Sequence, residues 1–285
     1  MTLEVVRTVA DLRARVKAWR LEDLSVGLVP TMGGLHEGHL SLVRLALEKT
    51  DRAVVTIFVN PKQFGAGEDF DVYPRDLETD AQLLGGLGAH LLFAPSVAEV
   101  YAEDHAACVS VPGVGDILEG ACRPGFFAGV ATVVAKLLLQ TLPDIAFFGE
   151  KDYQQLLVIR RMVKDLNIPV DIDSGPTLRC ADGLALSSRN AYLSAEESAI
   201  APVLHEVLAG IAENPSPGTA QGVDRLLKAG FSSVDYLEVR DAETLEPWTG
   251  APRPARVLAA AWLGETRLID NVAVKKAVSR QRSAS

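Results

Sequence analysis

Two histidines three positions apart are the residues of this chain whose chemistry is easiest to deduce. His36 and His39 follow a short apolar segment and a glycine-rich turn, and an apolar-periodic segment begins at Leu40. Glycine lets the backbone approach an anion closely, and the N–H groups and dipole of a helix start favour negative charge. Residues three apart share a face of a first helical turn. The pattern therefore predicts two imidazoles aimed at a polyphosphate and indicates nucleotidyl transfer.

Two other interpretations of this pair remain open. A zinc site of the zincin type needs histidines four positions apart with a glutamate between them. Here the interval is shorter and contains a glycine, and no third ligand is obvious nearby in the sequence. Alternatively, the two histidines only cap a helix and remain partly exposed.

Composition limits the class of protein. A chain of 285 residues, 48% of them hydrophobic, can form one large domain or two ordinary ones. The net charge of −9 argues against a nucleic-acid partner, so an anionic substrate needs a locally positive pocket.

We expect Cys108, Cys122 and Cys180 to be reduced thiols. The first residues do not suit a signal peptide, and no apolar run reaches the roughly 18 residues of a membrane span. We therefore expect a cytoplasmic protein without a membrane partner.

Apolar segments alternate with helical patterns through the first two thirds of the chain. Strands are predicted at residues 26–29, 53–59, 90–93, 145–148 and 169–172, and helices at 40–49, 77–87, 130–142 and 154–166. This alternation predicts an α/β fold with a Rossmann-like, doubly wound parallel sheet. Ligands of such sheets bind beyond the carboxyl ends of the strands, at a switch point in the strand order. Polar residues follow the predicted strands at 30–39, 60–63 and 149–152.

The pattern changes after about residue 176, which predicts a smaller α+β domain acting as a lid. Ser194 and Glu197 form a capping box for a helix predicted over residues 194–208. A short helix at 223–229 and strands at 234–239, 256–263 and 266–269 are predicted to follow. The predicted domains are residues 1–175 and 176–285, with a hinge at the Gly175-Pro176 pair.

The loop after the second predicted strand carries neutral and acidic side chains. Asn60 and Gln63 are hydrogen-bonding residues suited to a substrate's hydroxyl and carboxylate, although alone they would more often be turn residues. The acidic side chains Glu68, Asp69 and Asp71 approach a phosphate-bound Mg²⁺ or simply form a solvated loop.

Cationic residues follow later in the chain, and each is weak evidence by itself. Arg123 binds phosphate or forms a surface ion pair. Lys151 comes just after a predicted strand, where a helix begins, and so is suited to meet a phosphate as a point charge. Asp152 and Gln155 lie on the same opening turn. A last cluster consists of Ser187, Ser188 and Arg189. Its hydroxyl donors and cation can surround a triphosphate, although alone the cluster would indicate a surface loop.

Taken in order, these segments resemble the pantothenate synthetase (pantoate–β-alanine ligase) family. The similar stretches are VPTMGGLHEGH, FVNPKQFG, EDFDVYPRD, RPGFFAGV, FGEKDYQQL, IRRMVKDLN and LALSSRN. The resemblance covers nearly the whole chain to about residue 195 and the rest more loosely. It implies membership of the nucleotidyltransferase superfamily with a His-x-Gly-His motif, related to class I aminoacyl-tRNA synthetases. It also implies a homodimer that joins pantoate to β-alanine through pantoyl adenylate, releasing pyrophosphate and AMP, with Mg²⁺ on the ATP.

The resemblance assigns roles to individual residues. The catalytic residues it implies are His36, His39, Lys151 and Arg189, with His39 as proton donor. Gln63 would contact pantoate and β-alanine, and Gln155 would contact pantoate. The residues implied to bind ATP are Met32, Gly33, Gly34, Leu35, His36, Glu37, Gly38, His39, Gly149, Glu150, Lys151, Asp152, Leu178, Leu186, Ser187, Ser188 and Arg189.

One departure and several rival functions follow from the same segments. The family usually has histidine after Arg-Pro-Gly, where this chain has Phe126, so the role of that histidine is in doubt here. A related adenylyl- or cytidylyltransferase would need a cationic acceptor pocket, which the glutamines disfavour. A nucleotide-sensing module would be expected to lack His39 or Lys151. A tRNA synthetase is disfavoured by the acidic balance and by the lack of an anticodon-binding extension.

Overall fold

Contacts divide the chain into two compact units, and the chain passes between them more than once. The computed structural model describes residues 3–65, 67–215, 219–250 and 253–275. The first unit comprises Met1–Arg179 and Leu186–Ala191, and the second comprises Cys180–Ala185 and Tyr192–Ser285. The first unit therefore continues past the predicted boundary at 175/176. It also includes the Ser187-Ser188-Arg189 cluster, which the prediction had assigned to the lid.

The first unit contains a parallel sheet. Its strands among the described residues are β1 (Glu4–Val6), β2 (Val26–Thr31), β3 (Arg52–Ile57), β4 (Leu91–Phe93), β5 (Ile145–Gly149) and β6 (Asp171–Gly175). Their order is β1-β4-β3-β2-β5-β6, and every pairing is parallel. The chain proceeds outward from β2 to β3 and β4, and β5 lies on the other side of β2. This confirms the predicted doubly wound sheet, and the switch point falls between the carboxyl ends of β2 and β5.

Helices connect these strands. In the part of the first unit that the structure describes they are α1 (Val9–Leu21), α2 (Glu37–Lys49), α3 (Leu77–Leu87), α4 (Val97–Val100), α5 (Glu119–Cys122), α6 (Phe126–Thr141) and α7 (Tyr153–Asp165). The sequence analysis missed β1 and α1, although α1 buries Leu12, Val16 and Trp19 at helical spacing. Within the described ranges, no helix is both long and apolar enough to span a bilayer.

The second unit is a small α+β structure, as predicted. An antiparallel sheet of order β7-β8-β9 is formed by β7 (Ser233–Asp241), β8 (Ala255–Leu263) and β9 (Thr266–Ala273). The helices are α8 (Ala195–Ile200), α9 (Val203–Glu213) and α10 (Thr219–Ala229). The single helix predicted over 194–208 is wrong, because Pro202 lacks a backbone N–H and separates α8 from α9. The capping box is confirmed, with Ser194 and Glu197 each accepting the other's backbone N–H.

Candidate active site

The loop after β2 turns through two glycines before α2 begins. Gly33 and Gly34 have φ angles of +91° and +61°, in the left-handed region that glycine adopts without strain. The helix begins at Glu37, earlier than predicted, and His36 is its N-cap. His39 therefore lies inside the first turn, beside the N–H groups that a helix start leaves without intrahelical acceptors.

The two imidazoles lie side by side at this helix start. Their ring centroids are 4.1 Å apart. The Nδ1 atom of His36 accepts the N–H of Gly38 at 3.1 Å, and the Nδ1 atom of His39 accepts the N–H of His36 at 3.3 Å. An accepting Nδ1 carries no proton, so each neutral ring has its proton on Nε2. Both rings can therefore offer an Nε2–H hydrogen bond to a ligand.

The surroundings keep both rings neutral at pH 7. Burial, and then the neighbouring His36, lowers the pKa of His39 to about 3. Burial also lowers the pKa of His36, and the positive charge of Lys151 adds to that effect, whereas Asp152 opposes it. The same charges act on His39. Lys151 and Asp152 are thus close enough to the histidine pair to influence both rings.

Lys151 comes from the strand on the other side of the switch point. Glu150–Asp152 forms a short 3-10 turn between β5 and α7. The Lys151 Nζ atom lies 3.5 Å from Asp152 Oδ1, and its side chain is 20% exposed. Because β5 pairs with β2, the lysine turn and the histidine loop leave adjacent strands at the same edge of the sheet. Two segments that are distant in sequence thus meet as predicted.

The segment Leu186–Ala191 brings hydroxyl groups and a cation to the glycine loop. The Ser188 hydroxyl donates to the Gly34 carbonyl at 3.1 Å and is also hydrogen-bonded to Tyr73. The Arg189 guanidinium donates to both carboxylate oxygens of Asp69, at 3.0 and 2.8 Å. Burial alone would lower the pKa of Arg189, but the hydrogen bond and charge of Asp69 raise it. Arg189 therefore keeps its positive charge, and its ion pair with Asp69 holds it in place.

The loop's backbone is held by Asp80, which the sequence analysis did not single out. Its carboxylate accepts the N–H groups of Gly34 and Leu35 at 2.9 and 2.8 Å, and the residue is 3% exposed. Burial raises the pKa of this carboxyl, and the two backbone donors act in the opposite direction. The sequence did contain a signal, since Asp80 shares the apolar face of α3 with Leu77 and Leu84. A carboxylate on such a face requires hydrogen-bond partners.

Gln63 ends a short turn after β3 and is held by its neighbours. Asn60 donates to Gln63 Oε1 at 3.0 Å, and Gln63 Nε2 lies 3.0 Å from the sulfur of Met32. Asn60 is 1% exposed and accepts the hydroxyl of Tyr101 at 2.8 Å. Of the two interpretations of Asn60, the turn residue is the one that this geometry favours, because its amide is buried and hydrogen-bonded within the protein. Tyr101 stands in an irregular stretch, and no pattern in the sequence indicates its role.

Two adjacent glutamines on the first turn of α7 have different environments. Gln154 is 5% exposed, and its amide donates to the carbonyls of Val114 and Ile117 at 2.8 and 2.7 Å. Gln155 is only half-buried. Gln154 thus stabilises the fold, whereas Gln155 has surface available to a ligand.

Arginines engage two of the acidic side chains in the loop after β3. Glu68 pairs with Arg123, and Asp69 pairs with Arg189. These two carboxylates are ion-pair partners rather than solvated loop residues. Among the residues that the structure describes, no group of three or more His, Cys, Asp or Glu side chains could hold a metal ion. The zinc interpretation of the histidine pair therefore gains no further ligand within those ranges.

This geometry defines an α/β protein with a Rossmann-like, doubly wound parallel sheet, in which a histidine pair at a helix start and a lysine follow adjacent strands at the switch point. A family model described as pantoate-beta-alanine ligase matches residues 4–273. The chain belongs to the pantoate–β-alanine ligase family.

Relatives and solved structures agree with this membership. The chain is 62% identical to the pantothenate synthetase of Paramagnetospirillum magneticum, with 96% of this chain and 98% of that protein covered. It is 55% identical to the pantothenate synthetase of Rhodospirillum rubrum, with 95% and 99% covered. A pantothenate synthetase structure from Thermus thermophilus matches with a TM-score of 0.87 and 48% identity over 95% of this chain and 99% of that one. A Francisella tularensis ligase, solved in complex with β-γ ATP and β-alanine, matches with a TM-score of 0.84 and 33% identity, covering 95% and 97%.

Proposed function

We propose that this chain condenses pantoate with β-alanine to give pantothenate, consuming ATP and releasing AMP and pyrophosphate. The observation that carries the proposal is the neutral histidine pair at the start of α2, facing Lys151 across the switch point, in a chain of this family. That arrangement suits a polyphosphate on one side. On the other side of the site, the glutamines suit a small carboxylate substrate whose remaining polar groups are uncharged.

In the first step, a carboxylate oxygen of pantoate attacks the α-phosphorus of ATP. The bond between the α-phosphorus and the bridging oxygen breaks, and pyrophosphate leaves with the bonding electrons. We infer that Lys151 and Arg189 neutralise the phosphate charge, while His36 and His39 donate Nε2–H hydrogen bonds to it. Such a reaction needs charge neutralisation and alignment rather than a protein nucleophile.

In the second step, the amine of β-alanine attacks the carbonyl carbon of pantoyl adenylate. The bond from that carbon to the phosphate oxygen of AMP breaks, AMP leaves with the bonding electrons, and the attacking nitrogen loses a proton to solvent as the amide forms. We assign Gln63 to both pantoate and β-alanine, and Gln155 to pantoate. The hydrogen bond from Asn60 supports this assignment, because it keeps the Gln63 amide in one orientation.

The remaining assignments rest on the resemblance and on the placement of the loops. We propose that the ATP pocket is formed by residues 32–39, 149–152 and 186–189, together with Leu178. The carboxylates near these loops, such as Asp152, are oxygen donors of the kind that Mg²⁺ prefers, so the residues fit a magnesium ion arriving with ATP, which would neutralise phosphate charge. We also propose a homodimer in the cytoplasm, with the second unit, rather than the whole of the predicted C-terminal domain, acting as a lid.

Isotope exchange tests this function. With pantoate but no β-alanine, the protein should catalyse exchange of labelled pyrophosphate into ATP, because adenylation precedes amine attack. Adding β-alanine should then yield AMP and pantothenate in equal amounts. Exchange that requires β-alanine, or formation of ADP, would show that the two-step mechanism is wrong.

A further inference from the structure

Arg123 lies where the sequence left two interpretations open, a phosphate ligand or an ion pair. We propose that it is instead a positioning residue for the pantoate side of the site, held in place by Phe126. This inference rests on the proposed function, since it concerns how the same pocket is built. It is carried by the partners of the guanidinium group and by the residue that stands where the family usually has histidine.

The hydrogen bonds of Arg123 leave it unsuited to bind a phosphate. Its Nε donates to Glu68 at 2.8 Å, and Nη2 is shared between Glu68 and the main-chain carbonyl of Gln63, which lies 3.2 Å away. The Nη1 group donates to Glu119 at 3.2 Å. These bonds use four of the five N–H donors of a guanidinium. Two carboxylates also face one positive charge, so the local field disfavours an anion.

The guanidinium is enclosed as well as paired. The side chain of Arg123 is 15% exposed, and that of Glu119 is 7% exposed. The central carbon of the guanidinium lies 3.8 Å from the centroid of the Phe126 ring. A planar guanidinium stacks favourably on an aromatic face. Phe126 thus covers this arginine with an apolar surface and adds no second cation beside it.

The contact with the Gln63 carbonyl connects Arg123 to the proposed substrate pocket. Asn60 fixes the side-chain amide of Gln63, and Arg123 fixes its backbone. Hydrogen bonds therefore hold both the side-chain amide and the main-chain carbonyl of Gln63. Lysine would keep the charge at position 123, but a single ammonium group cannot bridge two carboxylates and a carbonyl in one plane.

The test compares Arg123→Lys and Phe126→Leu with a matched control, Arg161→Lys. Arg161 forms an exposed ion pair with Asp165 on α7. Steady-state rates of AMP formation give KM for pantoate and for ATP, and thermal denaturation gives Tm.

We expect Arg123→Lys to raise KM for pantoate about tenfold or more, because displaced positioning groups cost up to about a hundredfold. KM for ATP should stay within about twofold, and Phe126→Leu should shift KM for pantoate in the same direction. The control should resemble the wild type.

Two results would overturn the proposal. A larger rise in KM for ATP than for pantoate would make Arg123 a phosphate ligand. A lower Tm with both KM values unchanged would make its role purely structural. Failure of the proposed function is seen separately, because the wild-type protein would then form no AMP from pantoate, β-alanine and ATP.

Discussion

His39 illustrates how an ordinary residue type takes a specific protonation state from its surroundings. Its Nδ1 accepts a backbone N–H, and burial lowers its pKa to about 3. A neutral ring with its proton on Nε2 donates a hydrogen bond without carrying charge. This differs in character from the proton donor that the resemblance implies, and that role stays a prediction.

The protonation state can be measured directly. In the empty protein, ¹⁵N NMR of His39 should show an unprotonated Nδ1 and a protonated Nε2 at pH 7. Its pKa lies far below the ordinary value of about 6.5, so no titration should occur between pH 8 and pH 5. The same protein unfolded in urea provides the control, since its histidines should titrate near that ordinary value. An imidazolium signal from His39 with a midpoint near 6.5 would contradict the assignment.

Substitution separates the two nitrogens of this ring. His39→Gln keeps an N–H donor near the Nε2 position, whereas His39→Asn keeps polar atoms only near Nδ1. We expect His39→Asn to slow single-turnover adenylation on the order of a hundredfold, as for loss of one transition-state donor. His39→Gln should retain more activity, and ATP affinity should change less than the rate. Equal rates for both variants and the wild type would remove His39 from the catalytic residues.

Asp80 makes a second prediction at the level of single residues. Asp80→Asn leaves one backbone N–H of the glycine loop facing an amide N–H₂, and a lost buried partner costs about 1–3 kcal/mol. KM for ATP should therefore rise about tenfold or more. Asp76→Asn is the matched control, because Asp76 caps the same helix and asparagine caps equally well. Unchanged KM for ATP in Asp80→Asn would contradict the role of this carboxylate.

Elements position these residues through close backbone contacts. Gly129 lies in α6, and a Cβ atom built on it would be 2.0 Å from the Lys62 carbonyl oxygen. The turn Pro61–Gln63 can therefore lie directly on the helix, and Asn60 also donates to the Gly129 carbonyl at 3.1 Å. The glycine lets α6 pack directly against the turn that ends in Gln63.

Gly129→Ala should consequently disturb the turn. We expect a loss of unfolding free energy of about 1–3 kcal/mol, as for overpacking, and a raised KM for pantoate. Gly86→Ala on α3 is the control, because beyond its chain neighbours and the backbone of its own helix no atom lies within 4 Å of the Cβ it would add. In that variant the helix propensity of alanine should leave stability unchanged or slightly higher. Urea denaturation checks both changes, and equal stability of the two variants would contradict the packing argument.

The elements that the sequence predicted well are those with a regular pattern. Helix α3 has the bounds that the sequence predicted, and in the structure Asp76 caps its start and Gly88 ends it with φ of +84°. Helix α2 begins earlier than its apolar pattern, because a histidine rather than serine or aspartate serves as N-cap. The loops that carry the candidate site residues could be located from motifs at strand ends, and the roles of those residues stay a prediction. Of the residues that support them, Asp80 had a signal in its place on the apolar face of α3, although its partners in the glycine loop lie about 45 positions away. Tyr101 had no such signal, because only its long-range contact with Asn60 shows its role.

At the scale of the whole molecule, each of the two units is built from two separate stretches of the chain. Leu186–Ala191 belongs to the first unit although residues on both sides of it belong to the second. A chain ending after Gly175 lacks Ser188 and Arg189, so it should exchange pyrophosphate into ATP at least about a hundredfold more slowly than the full chain. Circular dichroism would show whether the parallel sheet still forms. Full-length Arg189→Ala should show a loss in the same direction. Near wild-type exchange by the folded, shortened chain would contradict this.

Because Leu186–Ala191 belongs to the first unit, part of that unit is translated only after the first residues of the second unit. A ribosome makes the last strand of the parallel sheet, β6, before it makes Ser188 and Arg189, and domains generally fold as units from the N-terminus. The sheet, the glycine loop and Lys151 can therefore assemble on a nascent chain that still lacks the arginine proposed for the phosphates. With the role proposed for Arg189, competence to activate pantoate is then acquired late in translation, after residues of the second unit have already emerged. A growing chain would hold an incomplete nucleotide pocket until that point, and so would not form a reactive acyl adenylate prematurely.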